Sequence, residues 1–303
     1  MRWNSLWSMM TRNPAATRRS ARKQRLNLLN VEALETRYAP AFTVVGPNVN
    51  ISKSIVDDAE TAIIINPTNP LNLFATSTAG AASVINGGHY FSMDGGVTWS
   101  LSSHSAIYGG QSGGDEQMAW DEFGNLFVTY FAIDALGNLD TVVGLSVDGG
   151  RTFQISLDNR DFQDQPSLAV GAGSVWYLNN GGALPHLVRH ATVTGLGQVG
   201  PWSLEDAVPG AMFFGDIAVG PFGQSYVVGQ QPGADGEDPT VILGALDPDG
   251  VGPIPFGGAT GAFSAIAFTN VGTFDTIPAQ PNRSIDSETG LAWDRTGGPF
   301  NNR

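Results

Sequence analysis

Cysteine is absent from the 303 residues. That excludes disulfides, a cysteine-ligated zinc and a thiol nucleophile, and it leaves the compartment undecided. Charge is scarce as well: Asp, Glu, Lys and Arg make up 14% of the chain, against an ordinary share of about a quarter. No apolar run reaches the roughly 18–20 residues of a membrane-spanning helix, so no transmembrane segment is expected. No glycine-rich phosphate loop precedes a helix, and there is no nucleophile elbow. What is abundant is glycine, at 39 residues, with 18 prolines and 42% hydrophobic residues. Many short strands joined by Gly/Pro turns produce that profile, and long helices do not.

The charge is divided along the chain. Residues 2–37 hold eight basic residues against Glu32 and Glu35, a net +6, while the remainder holds seven basic and 26 acidic residues, a net −19. An acidic body repels phosphate backbones, so no nucleic-acid partner is expected. Residues 1–41 read as a basic leader, disordered for the most part, without the 7–15-residue apolar stretch of a conventional secretory signal. Residues 42–303 read as one repeat domain.

The repeat is a hairpin: a short apolar strand, a polar turn, then a β-branched or aromatic strand. Ile63-Ile64-Ile65-Asn66 leads to Leu73-Phe74, Met118-Ala119-Trp120-Asp121 to Leu126-Phe127, Leu168-Ala169-Val170-Gly171 to Val175-Trp176, and Ile217-Ala218-Val219-Gly220 to Tyr226-Val227. Leu291-Ala292-Trp293-Asp294 opens a fifth copy that ends before a second strand. A period near 50 residues holding four strands is a propeller blade. A two-sheet sandwich, the rival architecture, does not require five matching hairpins at that period. The expected fold is therefore an all-β, incomplete β-propeller of about four four-stranded blades plus the start of a fifth. Such a count suggests a truncated product or part of a larger reading frame.

Two segments one blade apart share the pattern S-x-D-G-G-x-T-aromatic: Ser92, Asp94, Gly95, Gly96, Thr98 and Trp99, and then Ser146, Asp148, Gly149, Gly150, Thr152 and Phe153. The paired glycines suit the positive φ of a tight turn. The carboxylate is placed to accept turn N–H groups, Thr is at home in a returning strand, and the aromatic anchors the turn by burial. Each segment falls where a third and a fourth strand meet. Blades three and four show no clear copy.

These two segments resemble the Asp-box, or BNR, repeat of sialidase-like propellers. The resemblance implies that the boxes are structural and lie at blade edges. It also implies a possible exo-sialidase, in which three arginines clamp the sugar carboxylate while an Asp and a Glu-activated Tyr do the chemistry. The body offers Arg151, Arg160, Arg189, Arg283, Arg295 and Arg303, and no strand that completes such a triad, so no catalytic residue is assigned. Leu29–Ala41, with Leu34-Glu35-Thr36-Arg37 and Pro40-Ala41, resembles the LExLExR…PA leader of surface and secreted proteins of planctomycete-type bacteria, which implies an extracellular or cell-surface location.

Metal ligands and cofactors are not expected either. The carboxylate-rich turns at Asp57-Asp58, Asp115-Glu116, Asp235–Asp238 and Asp247–Gly250 lack calcium-loop spacing and read as solvated turns. His89, His104, His186 and His190 are dispersed, and the i, i+4 pair His186/His190 lies in a strand-like stretch. The expected function is a binding or scaffold module whose partner is a carbohydrate or a surface protein. A sialidase-type hydrolase completed by further blades and a non-functional fragment are the alternatives.

Overall fold

The computed structural model describes residues 48–55, 58–79, 88–103, 114–133, 139–159, 165–180, 186–210, 212–231, 240–269, 275–285 and 288–303. The chain divides into Met1–Asn48 and Val49–Arg303. The leader expected at residues 1–41 lies outside the described residues, and the account below is of the second part.

Four antiparallel sheets follow one another, each a meander from an inner to an outer strand. Blade one is β1 (Asp58–Ile65), β2 (Leu73–Ala79), β3 (Gly88–Ser92) and β4 (Ser100–Leu101). Blade two is β5 (Gln117–Trp120), β6 (Leu126–Ile133), β7 (Leu139–Ser146) and β8 (Gln154–Asp158). Blade three is β9 (Ser167–Gly171), β10 (Ser174–Asn179) and β11 (Leu187–Gly195), with its outer edge split between β12 (Gln198–Val199) and β13 (Asp206–Ala207). Blade four is β14 (Phe213–Val219), β15 (Ser225–Gln231), β16 (Val241–Asp247) and β17 (Ser264–Phe268). A separate hairpin, β18 (Asp275–Ile277) and β19 (Gln280–Ile285), precedes Leu291. That hairpin lies within the step from Gly220 to Asp294, which is 74 residues against 49–55 for the earlier steps between Asn66, Asp121, Gly171 and Gly220.

The fold is an all-β propeller arc. The inner segments of all four blades, together with Leu291–Trp293, line one cavity of about 670 Å³. The chain then turns back on itself, with Asp294 N–H donating to the Arg303 carbonyl and Asn302 N–H to the Asp294 carbonyl.

Burial explains why the middle strands read as continuous apolar runs. β10 is buried at every position because a blade lies against each of its faces. Three clusters fill the gaps between blades. Phe74 of blade one packs with Trp120, Leu126, Val128 and Tyr130 of blade two. Phe127, Val143 and Leu145 meet Leu168, Val170, Val175 and Tyr177. Trp176 and Leu178 meet Ile217, Val219, Val227 and Leu243. The pairings Ile64↔Phe74, Ala119↔Phe127, Ala169↔Trp176 and Ala218↔Tyr226 put an aromatic at one register position of every second strand.

Candidate functional site

The blades have two chemically different ends. At the end where inner strands turn into second strands, the two S-x-D-G-G turns join β3 to β4 and β7 to β8. Asp94 Oδ1 accepts the Thr98 N–H at 2.9 Å and the Ser92 hydroxyl at 2.8 Å, and Oδ2 accepts the Thr98 hydroxyl at 2.6 Å. Asp148 repeats this with Thr152 at 2.9 and 2.6 Å and Ser146 at 2.8 Å. The serine hydroxyls accept Gly96 N–H and Gly150 N–H at 2.9 Å. All four box glycines have positive φ, from 75° to 88°. The Thr98 hydroxyl and amide, followed by the Ser92 hydroxyl, hold Asp94 down at about 2. Burial pushes Asp148 up, but the Thr152 and Ser146 bonds outweigh it and its pKa lies below the ordinary value.

Two details differ from the expectation. Thr98 and Thr152 sit inside the turn as donors to the aspartate, because β4 and β8 begin only at Ser100 and Gln154. Trp99 and Phe153 are half-buried rather than fully buried. Phe153 nevertheless spans blades, its ring 5.5 Å from Phe74. The turns also tie into their neighbours: Asn72 Nδ2 of blade one donates to the Gly149 carbonyl at 3.0 Å, and Asn125 of blade two donates to the Gly195 carbonyl of blade three at 3.1 Å.

A further turn of this type was not legible as one. Asp247 stands opposite Ser225 as Ser92 stands opposite Leu73 and Ser146 opposite Leu126. Its Oδ1 accepts Gly250 N–H at 2.7 Å and Asp249 N–H at 3.1 Å, the role of the box serine, and Asp249 accepts Ile254 N–H as Asp94 accepts Thr98. Phe256, 2% exposed, then packs edge-on against Trp176 of blade three at 6.0 Å. The solvated-turn reading of Asp247–Gly250 is thus corrected: Asp247 is 3% exposed, and burial raises its pKa to about 6.

The opposite end, where inner strands begin, is an acidic mouth. A cavity of about 410 Å³ is lined by Glu60, Asp115, Glu116, Asp216 and Glu288, with Gln117, Gln165, Ser167 and Phe214 among its other walls. Counting six residues back from Asn66, Asp121, Gly171, Gly220 and Asp294 gives Glu60, Asp115, Gln165, Phe214 and Glu288. The first four of these have left-handed backbone, with φ of 50°, 55°, 48° and 41°. A non-glycine residue there costs on the order of 1–3 kcal/mol, yet four successive blades carry it at the same position.

Neighbouring groups fix this ring. Asp115 accepts the Gln165 N–H at 3.2 Å, and Gln165 Nε2 donates to Glu288 at 2.8 Å. Asp216 accepts the Ser167 hydroxyl at 2.9 Å and Leu291 N–H at 2.8 Å. Asn180, 1% exposed, donates to the carbonyls of Gln165 and Gly215 and accepts Gly215 N–H. The Thr78 hydroxyl lies 2.8 Å from Glu60 and 3.1 Å from Glu116. Behind it, His89 Nε2 is 3.6 Å from Glu116 Oε1, both side chains being fully buried. Burial acts to raise the Glu116 pKa, but the bond to and charge of His89, with Thr78, bring it below the ordinary value.

The sequence-level candidates for chemistry lie elsewhere. Arg151 sits over Phe91 at 5.5 Å, Arg189 pairs with Glu205 at 3.1 Å, Arg295 donates to the Val170 carbonyl at 2.7 Å, and Arg303 lies over Phe300. Arg160 and the Arg283 side chain are outside the described residues, as are His104 and Asp235–Asp238. None of the described arginines lines the acidic mouth. His186 is fully buried, with its pKa lowered to about 4 by that burial, and His190 lies against Trp176 with ring centroids 4.7 Å apart. Among the described residues no group of three His, Asp or Glu side chains is placed to hold a metal ion, and no helix is long and apolar enough to cross a membrane.

Blades of this kind around one channel define a propeller. No family model and no curated protein matches the chain. Among solved structures, an α-L-arabinofuranosidase from Fusarium graminearum is similar at 16% identity, covering 69% of this chain and 66% of that one, with a TM-score of 0.45. An α-L-arabinanase from Penicillium chrysogenum matches at 16% identity over 69% of each chain, with a TM-score of 0.46. The Hadza microbial sialidase matches at 15% identity over 65% of this chain and 44% of its own, with a TM-score of 0.43. The chain thus spans less than two thirds of the first and less than half of the third. At these identities the likeness is one of fold alone.

Proposed function

We propose that this chain is a secreted or cell-surface propeller module that binds carbohydrate at the acidic mouth, and that the turns at Ser92–Trp99 and Ser146–Phe153 are Asp boxes serving only the fold. One observation carries the reading. Four successive blades hold a strained, non-glycine residue at one register position, and those residues converge on a single cavity. Strain maintained where glycine would relieve it points to a role for the side chains. Sugar hydroxyls are donors that suit carboxylate and amide acceptors, and Phe214 offers an apolar surface beside them.

The lining also sets the sign of the ligand. A carboxylate-bearing sugar meets five carboxylates, a repulsion that desolvation in the cavity strengthens. The mouth therefore suits neutral or basic sugars and disfavours sialosides. Titration calorimetry with a neutral arabino-oligosaccharide, a chitosan oligomer and sialyllactose tests this. Binding of either of the first two, lost in Glu60→Gln, is expected; binding of sialyllactose alone overturns it.

A second reading, hydrolysis, is favoured by the carboxylates themselves, since most glycosidases use a pair of them. Turnover of a neutral fluorogenic glycoside, abolished by Glu288→Gln, would convert the binding module into an enzyme. A turnover confined to sialosides would contradict the placement of the described arginines.

A further inference from the structure

Three cavities follow one another along the inner strands. The acidic mouth takes the strand beginnings, at Glu60, Asp115 and Gln165. The cavity of about 670 Å³ takes the strand bodies, and another of about 370 Å³ takes the strand ends, at Pro67, Asp121 and Gly220. The middle cavity differs from the mouth in kind. Its walls include Met118, Leu168, Ile217, Leu291 and Trp293, and among the described residues lining it Arg295 is the single charged one. Arg295 also lines the cavity at the strand ends. A body of net charge −19 thus keeps acid out of its channel and sets a cation there.

Arg295 is fixed by its surroundings. Its Nη1 donates to the Val170 carbonyl at 2.7 Å, and the guanidinium lies so close to Gly171 that a Cβ there would collide with it. Among the described residues it makes no ion pair. Asp121 accepts the Asn125 amide, Glu122 the Gly173 N–H and Asp294 the Thr296 hydroxyl. The residue is otherwise exposed.

We propose that the channel binds an apolar molecule carrying one carboxylate, with its body among the inner strands and its carboxylate on Arg295. The planar fork of a guanidinium matches a carboxylate. A cavity of this size, apolar with one polar anchor, has the usual build of a small-molecule site. Because Arg295 is exposed, the bound carboxylate keeps part of its hydration, and the cost of burying a charge is avoided. The mouth sets the orientation. Its carboxylates repel an anion, so the ligand enters from the strand ends and its apolar body points toward the mouth. The inference is independent of the carbohydrate reading, since the channel and the mouth share no lining residue.

Titration calorimetry of the full chain with decanoate and with decanol, each below the concentration at which it self-associates, tests this. Decanoate is expected to bind at least about tenfold more tightly than decanol. This comparison uses the wild-type chain and needs no variant to fold. Arg295→Met keeps an unbranched apolar stem, removes the guanidinium and should bring decanoate down to the affinity of decanol. Ala292→Phe adds bulk at an exposed residue of the cavity wall and should weaken both ligands at an unchanged thermal midpoint. No binding of decanoate overturns the proposal. Equal affinities for decanoate and decanol overturn it too, as does a decanoate affinity that Arg295→Met leaves unchanged.

Discussion

The two ends of the blades use the same backbone conformation in opposite ways. At the S-x-D-G-G turns the left-handed positions belong to Gly95, Gly96, Gly149 and Gly150. At the acidic mouth they belong to Glu60, Asp115, Gln165 and Phe214. Glycine adopts positive φ without a Cβ penalty, so the two S-x-D-G-G turns are relaxed and the carboxylates of Asp94 and Asp148 are satisfied from within. The mouth end carries strain and directs side chains at a common space. Relaxed geometry marks the part that holds the fold together, and maintained strain marks the part that meets something else.

The sharpest way to break that contrast is to disturb the relaxed end. A Cβ at Gly150 would lie 2.5 Å from Phe74 Cδ2, inside a buried cluster, at a φ of 88°. Gly150→Ala combines left-handed strain with overpacking and should cost roughly 2–4 kcal/mol, read as a lower midpoint in urea. Ligand binding at the mouth should be unchanged among molecules that remain folded. A Gly150→Ala protein as stable as the wild type would show that the turn is not tied to blade one as described.

Titration sharpens the comparison among the turns. Asp94 and Asp148 are held below the ordinary carboxylate range, so they add stability above their unfolded pKa and lose it as pH falls through the folded value. Asp247 has the opposite sign. Its folded pKa of about 6 lies above the unfolded value, so its contribution is complete at low pH and disappears as pH rises through 6. Asp247→Asn keeps the acceptor for Gly250 and Asp249 and removes the buried charge. It should raise stability at pH 7 by roughly 1–2 kcal/mol, since the Gly250 and Asp249 N–H bonds offset part of the burial cost of the charge, and leave it unchanged near pH 4. Equal midpoints for the two proteins at pH 7 would remove the buried-charge account of this turn.

How much of this was legible beforehand depended on whether a role belongs to a residue type. Asn66, Asp121, Gly171, Gly220 and Asp294 are turn residues, so their near-regular spacing was readable as a blade period, and the paired glycines of the boxes announced their own φ. The mouth was not readable in that way. Glu60, Asp115, Gln165 and Phe214 share a position and a backbone state but no chemistry, and a φ leaves no letter in the sequence. The third turn was hidden by substitution: Asp247 does the work of a serine, the second glycine is Val251, and two extra residues delay the aromatic to Phe256. Nothing in the sequence marked Asn72 and Asn125, because a side-chain bond to the next blade has no local signature.

The smallest expected effect tests the strained end most directly. Gln165 is left-handed at φ 48°, and its side chain makes one described bond, to Glu288 at 2.8 Å in an exposed setting. Gln165→Gly releases about 1 kcal/mol or slightly more of backbone strain and gives up an exposed hydrogen bond worth about 0.5 kcal/mol. The larger unfolded-state freedom of glycine takes back part of the gain. The net change should be a few tenths of a kcal/mol in favour of the folded state, a rise of about 1 °C in midpoint for a domain of this size, resolvable by calorimetry in replicate. The same substitution removes an amide from the mouth and should weaken oligosaccharide binding. Stabilisation joined to lost binding is the signature of strain kept for a ligand. If instead Gln165→Gly lowers the midpoint and leaves binding intact, the left-handed ring serves the fold, and the distinction between the two ends disappears.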